Sequence, residues 1–478
     1  MKERTTLPNA AIAAAFFLLF AVCLCWPIFY TGQYFIFADT QSYLRGGSKI
    51  WDVFFRLLPA APVDPQVVSQ AGGTAVPEAL TINDQGRNTA GRSFPYSAFA
   101  SMVFQIGGPL AVAFAQAVLA TVMICFLITR EARQSPYVLV IGAALIAALS
   151  GLPFYSSYLM PDVFGGLVIL FGVLLVRDID RFGIWALLLL LALSGFSAAA
   201  HYGNIPLMFG IVMVALGVRL LRGRLGWKPL ILGLIAVSAA PLTNLGASSA
   251  VLKEPSVTPQ RLPIILARSL NDGPALWYLR DVCPEADLAL CEIYGDSFSS
   301  DTYWFLWSDE GVLSLPKDQF DRVRSEEWKV VLGAFMSYPV EQSKSLFSNI
   351  AFQVVRVGVS QIYVADGFVE DYAPIDVEAG PTVDFLGTFD RIIPLATLAS
   401  VILIAGVGLF AGMSSRWVDM FVVLGLGLLG NAFIFGGLSY SVDRYQGRIA
   451  WVIPVMAFLF LAETMARRRT AASGLQAA

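Results

Sequence analysis

Residues 7–44 read LPNAAIAAAFFLLFAVCLCWPIFYTGQYFIFADTQSYL. The part from 7 to 30 carries no charged side chain, and a helix needs about 20 such residues to cross the hydrocarbon of a bilayer. An aspartate, two hydroxyl residues, a glutamine and a tyrosine then crowd into 39–43. Asp39 is either a solvated cap where the chain leaves the membrane or the acid around which the protein is organised. Lys2 and Arg4 precede the apolar run, as in a signal peptide. The run is longer than a signal core, and bulky Trp26, Pro27 and Tyr30 stand where a small-residue cleavage site belongs, so the segment reads as a retained first span.

The rest of the 478-residue chain continues in the same way. Hydrophobic residues make up 56%, charged residues 14%, and mean hydropathy is +0.66. Soluble domains carry roughly 25% charged residues, and here the deficit is spread along the whole chain. The expected fold class is an all-α polytopic membrane protein of about ten transmembrane helices. The spans fall near 8–30, 107–129, 136–153, 159–176, 183–201, 204–221, 228–246, 391–412, 417–437 and 448–466. The net charge of -3 and the lack of a basic, aromatic-studded block argue against nucleic acid as a partner.

Basic residues orient the spans. Lys2, Arg4, Arg130, Arg133, Arg177, Arg181, Arg219, Arg222, Arg224, Lys228, Arg416 and the triplet Arg467, Arg468 and Arg469 all fall on one side of the ten-span arrangement. The turns 154–158 and 202–203 on the other side have none. Both termini are therefore expected in the cytoplasm, with the polar stretches 31–106 and 247–390 outside. Three units follow: a membrane module 1–246 with its large first outer loop 31–106, a mostly α-helical outer domain 247–390, and the closing helices and tail 391–478. In the outer domain, Trp277, Tyr278, Trp304, Trp307 and Trp328 are candidates for a small core. Residues 315–339 read as an amphipathic helix closed by Pro339, and 340–363 as a second, interfacial or partly membrane-embedded helix. Cys23, Cys25 and Cys125 lie in apolar runs as packing residues, whereas Cys283 and Cys291 lie in a polar stretch where a disulfide is permitted outside the cytoplasm.

Four polar groups gather where spans meet the outer face. In FADTQSYL (37–44), Asp39 stands where an N-cap is expected, and Asp39 and Tyr43 share a helix face. In SSYLMPDVF (156–164), Asp162 follows a proline suited to a first helical turn. In HYGNIPL (201–207), His201 is the sole histidine of the chain, beside Tyr202 and Asn204. A lone histidine does not suit a zinc site, so no metal site is assigned. In DRYQGR (443–448), Arg444 and Arg448 are four apart, with Tyr445 between them and Asp443 in reach of either. Forked arginines suit a phosphate or diphosphate, and an Asp–Arg clamp is the structural alternative. Charge near lipid is costly, so one shared polar cavity is the economical arrangement.

The layout resembles the GT-C superfamily, polytopic glycosyltransferases that use polyprenyl-phosphate-linked sugars and include protein mannosyltransferases and aminoarabinose transferases. The similarity rests on FADTQSYL just after the first span, LMPDVF at the fourth, HYGNIPL, and DRYQGR before the last. The first loop has no Asp-x-Asp or Asp-Glu pair and the chain has no WWDYG-like signature. The resemblance implies catalytic roles for Asp39 and Asp162, and substrate-binding roles for Tyr43, His201, Tyr202, Asn204, Arg444, Tyr445 and Arg448. It also implies a polyprenyl-phosphate sugar donor and a periplasmic glycan, lipid or protein acceptor, at a bacterial inner membrane with the active face periplasmic. The sequence requires no cofactor and leaves a divalent cation open. Two other readings stand beside it: a flippase or transporter for a lipid-linked glycan, and a non-catalytic envelope assembly factor. The first calls for charge deep in the spans and inverted repeats, neither of which is visible; only sugar transfer itself separates the second from an enzyme.

Overall fold

The computed structural model describes residues 7–57, 92–128, 136–365 and 381–476, apart from the single positions 178, 254, 260, 284 and 296. Lys2, Arg4, Arg130 and Arg133 of the charge argument, and parts of both long outer stretches, lie outside the described residues. Among the described residues, six helices are long and apolar enough to cross a membrane: Phe94–Leu127, Asn204–Leu221, Trp227–Val251, Asp384–Ala411, Ser415–Gly437 and Asp443–Thr470. Four shorter apolar helices accompany them: Ala14–Cys23, Pro136–Leu149, Pro161–Val176 and Ile184–Ala199. The fold is that of an all-α membrane-embedded protein.

The helix Phe164–Val176 is the centre of the bundle. Each of its side chains is buried, as expected of a helix that is apolar on all sides. Around it the other apolar helices turn one face inward and leave leucine, isoleucine and phenylalanine exposed on the other, the pattern of helices solvated by lipid.

Proline and glycine explain where the elements break. The first span was expected to run to 30 but stops at Cys23, and a new short helix, Trp26–Thr31, begins with Pro27 in its first turn. A proline four residues on from Cys23 cannot donate to that carbonyl and clashes with it. The helix Phe94–Leu127 starts well before the expected 107 and is interrupted at Gly107 and Gly108, with Gly108 at φ 68° and Pro109 next. Its first part pairs with the helix Ala38–Leu57. There a Cβ on Gly47 would fall 1.9 Å from the Ser97 carbonyl oxygen, so only glycine lets the two backbones approach so closely. Trp51 Nε1 donates to the Ala98 carbonyl at 2.8 Å across the same contact.

Polar contacts divide between the two ends of the bundle. At one end Arg219 pairs with Asp180, Arg222 and Arg224 both pair with Asp419, and Arg177 donates to the Leu127 carbonyl. At the other end strand β1 (Tyr34–Ile36) pairs antiparallel with β2 (Tyr363–Ala365), Tyr34 opposite Ala365. This pair covers the turn at 154–158, which is no exposed loop. Leu152–Ser157 is a buried helix, and Tyr155 donates its hydroxyl to the Gly358 carbonyl at 2.8 Å.

A second hydrophobic cluster lies beyond this end, built by the helices Ile264–Asp272, Pro274–Val282, Ala289–Tyr294, Thr302–Trp307 and Lys317–Ser337. Its core is Leu266, Leu279, Leu290, Phe305, Val323 and Val330, not the expected tryptophans. Trp277, Trp307 and Trp328 are exposed, and only Tyr278 and Trp304 pack against the cluster. The fully buried carboxylate of Glu327 accepts from the amides of Ile265 and Leu266 at 3.0 and 3.3 Å and pairs with Arg261. It thereby caps the start of the helix Ile264–Asp272, where a negative charge is favoured. Cys283 and Cys291 are joined, with Cα atoms 5.1 Å apart. The interfacial helix expected over 340–363 ends at Val354; the chain then turns at 360–361, with the Ile362 amide donating to the Val359 carbonyl at 3.1 Å, and enters β2.

Candidate functional site

The Asp39 turn is built from its neighbours. The Phe37 amide donates to Thr40 Oγ1 at 3.0 Å, the reverse half of a capping box, so Asp39 lies inside the first turn of Ala38–Leu57 and is not its N-cap. Thr40 Oγ1 in turn donates to the Leu159 carbonyl at 3.2 Å, and the Leu159 amide donates to the Phe35 carbonyl at 2.9 Å. These bonds bind the Asp39 turn to the segment that carries Asp162.

The Asp39 carboxylate accepts from Arg92. Arg92 is held from three sides. Ser93 caps the helix Phe94–Leu127 and donates to the Ala199 carbonyl, and the Tyr202 hydroxyl donates to the Arg92 carbonyl at 3.0 Å. Sequence reasoning passed over Arg92. A signal was available, because arginine followed by Ser93 and Pro95 marks a helix start, but nothing in the sequence pointed it at Asp39.

Asp162 sits in the 3-10 turn Pro161–Val163. Its Oδ1 accepts from Arg444 Nε at 2.8 Å, and its Oδ2 is buried without a partner. The Arg444 guanidinium lies 4.2 Å from the Phe37 ring centre and 5.5 Å from that of Tyr158, contacts worth roughly 0.5–2 kcal/mol each. Phe37 thus links the Asp39 turn to the Asp162–Arg444 pair. The structural clamp foreseen for DRYQGR exists with a different acid: Asp443 accepts from Ser360 at 2.9 Å, and the partner of Arg444 is Asp162.

Arg448 is fully buried. Its Nη2 donates to Asn204 Oδ1 at 3.2 Å and Asn431 Oδ1 at 3.1 Å, and its guanidinium lies 4.0 Å from the Phe435 ring centre. Arg444 thus donates its Nε–H to Asp162, while Arg448 Nε and Nη1 are buried with no hydrogen-bond partner. Asn204 also donates to the Ser197 carbonyl at 2.9 Å, and the Tyr445 and Phe435 rings pack tilted to one another with centres 4.8 Å apart.

Tyr43 and His201 lie among these charges. The buried Tyr43 meets Tyr96 edge-on at 5.0 Å. Burial raises its phenol far above the ordinary range, with Asp39, Asp162, Arg92 and Arg444 all close enough to act on it. His201 Nδ1 accepts from the Gly203 amide at 3.0 Å. Burial first, then Arg448, Arg444 and Arg92, push its pKa well below the usual histidine value. Both effects favour the neutral imidazole, and an accepting Nδ1 leaves the proton to Nε2.

The site thus brings Asp39, Tyr43, Tyr202, His201, Asp162 and Arg444 to one end of the bundle, with Arg92 added. Asn204 and Arg448 are buried, and Tyr445 is half-buried against Phe435. Among the described residues no group of three His, Cys, Asp or Glu side chains converges on a metal position. No protein-family model, curated protein or solved structure matches this chain.

Proposed function

We propose that this chain is a bacterial inner-membrane glycosyltransferase of GT-C type that moves a sugar from a polyprenyl-phosphate donor to a hydroxyl of a periplasmic glycan, lipid or protein. The six long and four short apolar helices would be its ten spans, with both termini cytoplasmic and the Asp39 end periplasmic. The observation that carries the reading is Asp39 itself: a partly exposed carboxylate beside an arginine, at the end of an apolar bundle, within electrostatic reach of Tyr43.

In the proposed step the acceptor oxygen attacks the anomeric carbon of the donor. The bond from that carbon to the phosphate oxygen breaks, its electron pair leaves with the phosphate, and the hydroxyl proton passes to Asp39. The sugar inverts, and polyprenyl phosphate is released. Arg92 replaces Arg444 and Arg448 as the cation that meets the phosphate, because it is the more exposed of the three. A phosphate arriving at Arg92 competes with Asp39 for the guanidinium and frees the carboxylate for the acceptor hydroxyl. Asp162 is a positioning residue that holds Arg444, and neutral His201 offers Nε2–H as a hydrogen-bond donor.

The test uses purified wild type and Asp39→Asn with synthetic polyprenyl-phosphate sugars and envelope extracts as acceptors. Wild type is expected to transfer sugar, and the variant to do so about 10²–10⁴-fold more slowly with unchanged thermal unfolding. Equal transfer by the variant removes Asp39 as the base. No transfer by wild type from any donor removes the enzyme reading.

A further inference from the structure

The helices Lys317–Ser337 and Pro339–Val354 follow one another directly. Along the first, the exposed side chains change character. Its first turns expose Lys317, Asp318 and Arg322, whereas its last turns, which also expose Lys329 and Ser337, expose four large apolar side chains, Trp328, Leu332, Phe335 and Met336. Those four stand at i, i+4, i+7 and i+8, one stripe of a helix. The stripe is not an unfinished core, because Phe320, Val323, Val330 and Ala334 on another face of the same helix are already buried in the second cluster. Met336 is 78% exposed and Trp328 52%.

The next helix exposes Val340 and Phe347 on one face, seven positions apart, whereas Phe352, about 140° round the helix from Phe347, lies under the Arg356 guanidinium. On its other side it sits against the end of a membrane helix. A Cβ on Gly436 would fall 2.4 Å from Gln353 Cβ, and one on Gly437 would fall 2.8 Å from Leu346 Cδ1. Gly437 ends the apolar helix Ser415–Gly437, whose own exposed face carries Leu426, Leu429 and Phe433. The apolar surface of a membrane-length helix therefore continues onto Pro339–Val354, which the chain joins directly to Lys317–Ser337. Lys344 lies within the continuation and is exposed, a side chain whose stem lies along apolar surface while its ammonium reaches water.

We infer that the exposed apolar surface from Trp328 to Phe347 is a membrane-docking surface, seated at the boundary between headgroups and acyl chains of the leaflet at the Asp39 end. The helix Lys317–Ser337 enters that boundary from water with its charged turns outside and its aromatic turns immersed, as amphipathic helices do to a depth of about 5–10 Å. The partner is lipid, chosen over a second copy of the chain because the surface continues that of the membrane helix. The inference is independent of the function proposed above.

The test is depth measurement in proteoliposomes. Free cysteines Cys23, Cys25 and Cys125 are replaced by serine, and an environment-sensitive fluorophore is attached through Met336→Cys, Phe347→Cys or Asp318→Cys. All three sites are exposed, and each labelled protein is checked for wild-type thermal unfolding, with Leu332→Cys as a replacement if one fails. Lipids carrying a nitroxide near the headgroup are expected to quench positions 336 and 347 several-fold more than 318, with no change when the protein is diluted in lipid. Quenching at 336 and 347 equal to that at 318 overturns the inference. So does shielding from the nitroxide lipids that fades on dilution, which would place a second copy on the surface.

Discussion

Asp39–Arg92 and Asp162–Arg444 are both aspartate–arginine pairs at the same end of the bundle, joined through Phe37, yet their surroundings are opposite. The first pair is partly solvated, its side chains 25% and 37% exposed. The second is sealed, at 1% and 7%, with aromatic rings over the guanidinium. A solvated pair contributes about 0–1 kcal/mol and can exchange partners readily. A buried one resists separation, because losing either partner strands a charge. The difference separates an acid that solvent and ligands can reach from an acid sealed into the scaffold.

Breaking the buried pair should have the larger effect on stability. Asp162→Ala leaves Arg444 buried without its carboxylate and is expected to lower unfolding free energy by about 3–5 kcal/mol, read by denaturant unfolding in detergent. The double variant Asp162→Ala/Arg444→Met should recover part of the loss, since it also removes the stranded charge. A single-variant loss below ~1 kcal/mol would erase the contrast between the two pairs. The exposed pair supplies the other half: Arg92→Ala should change stability by less than about 1 kcal/mol, and a loss as large as that of Asp162→Ala would make both pairs structural.

The smallest expected change concerns His201, which lies next to both pairs and is the single histidine of the chain. In untagged, histidine-labelled protein its one imidazole signal should keep the neutral Nε2–H form from pH 8 down to about 5.5, where an ordinary histidine of pKa near 6.5 is mostly charged. The sign for stability follows. With its folded pKa depressed, the unfolded chain binds the extra proton below about 6.5, so His201 makes the protein less stable as pH falls through that window. His201→Gln should remove that slope, measured as unfolding free energy against pH; an imidazole that titrates near 6.5 would show that the arginines and burial do not govern it.

The bundle was legible in the sequence because hydropathy is local: the apolar runs coincide with the long and short apolar helices, and Pro27 and the Gly107-Gly108-Pro109 step explain the differences in their ends. The gathering of Asp39, Asp162, His201 and Arg444 at one end followed from counting spans and needed no contact information. The pairings did not follow. Asp162 and Arg444 are 282 positions apart, and Asp443, the neighbour in sequence, was the natural but incorrect partner. The tryptophans of the second cluster misled because aromatic residues serve a core and a bilayer interface equally well; only the helix face decides, and Trp328 is on the outer one. Likewise, three-residue β1 pairs with a strand more than 300 positions away, beyond any local pattern.

The direct test compares the two acids on the same samples. Asp39→Asn and Asp162→Asn are purified in parallel, and each is assayed for sugar transfer from polyprenyl-phosphate donors and for thermal unfolding. Asp39→Asn is expected to unfold like wild type and to lose about 10²–10⁴-fold in transfer rate, while Asp162→Asn unfolds at a clearly lower temperature. Transfer retained by Asp39→Asn, together with transfer lost by an Asp162→Asn protein of wild-type stability, would contradict the assignment and make the buried acid the chemical one.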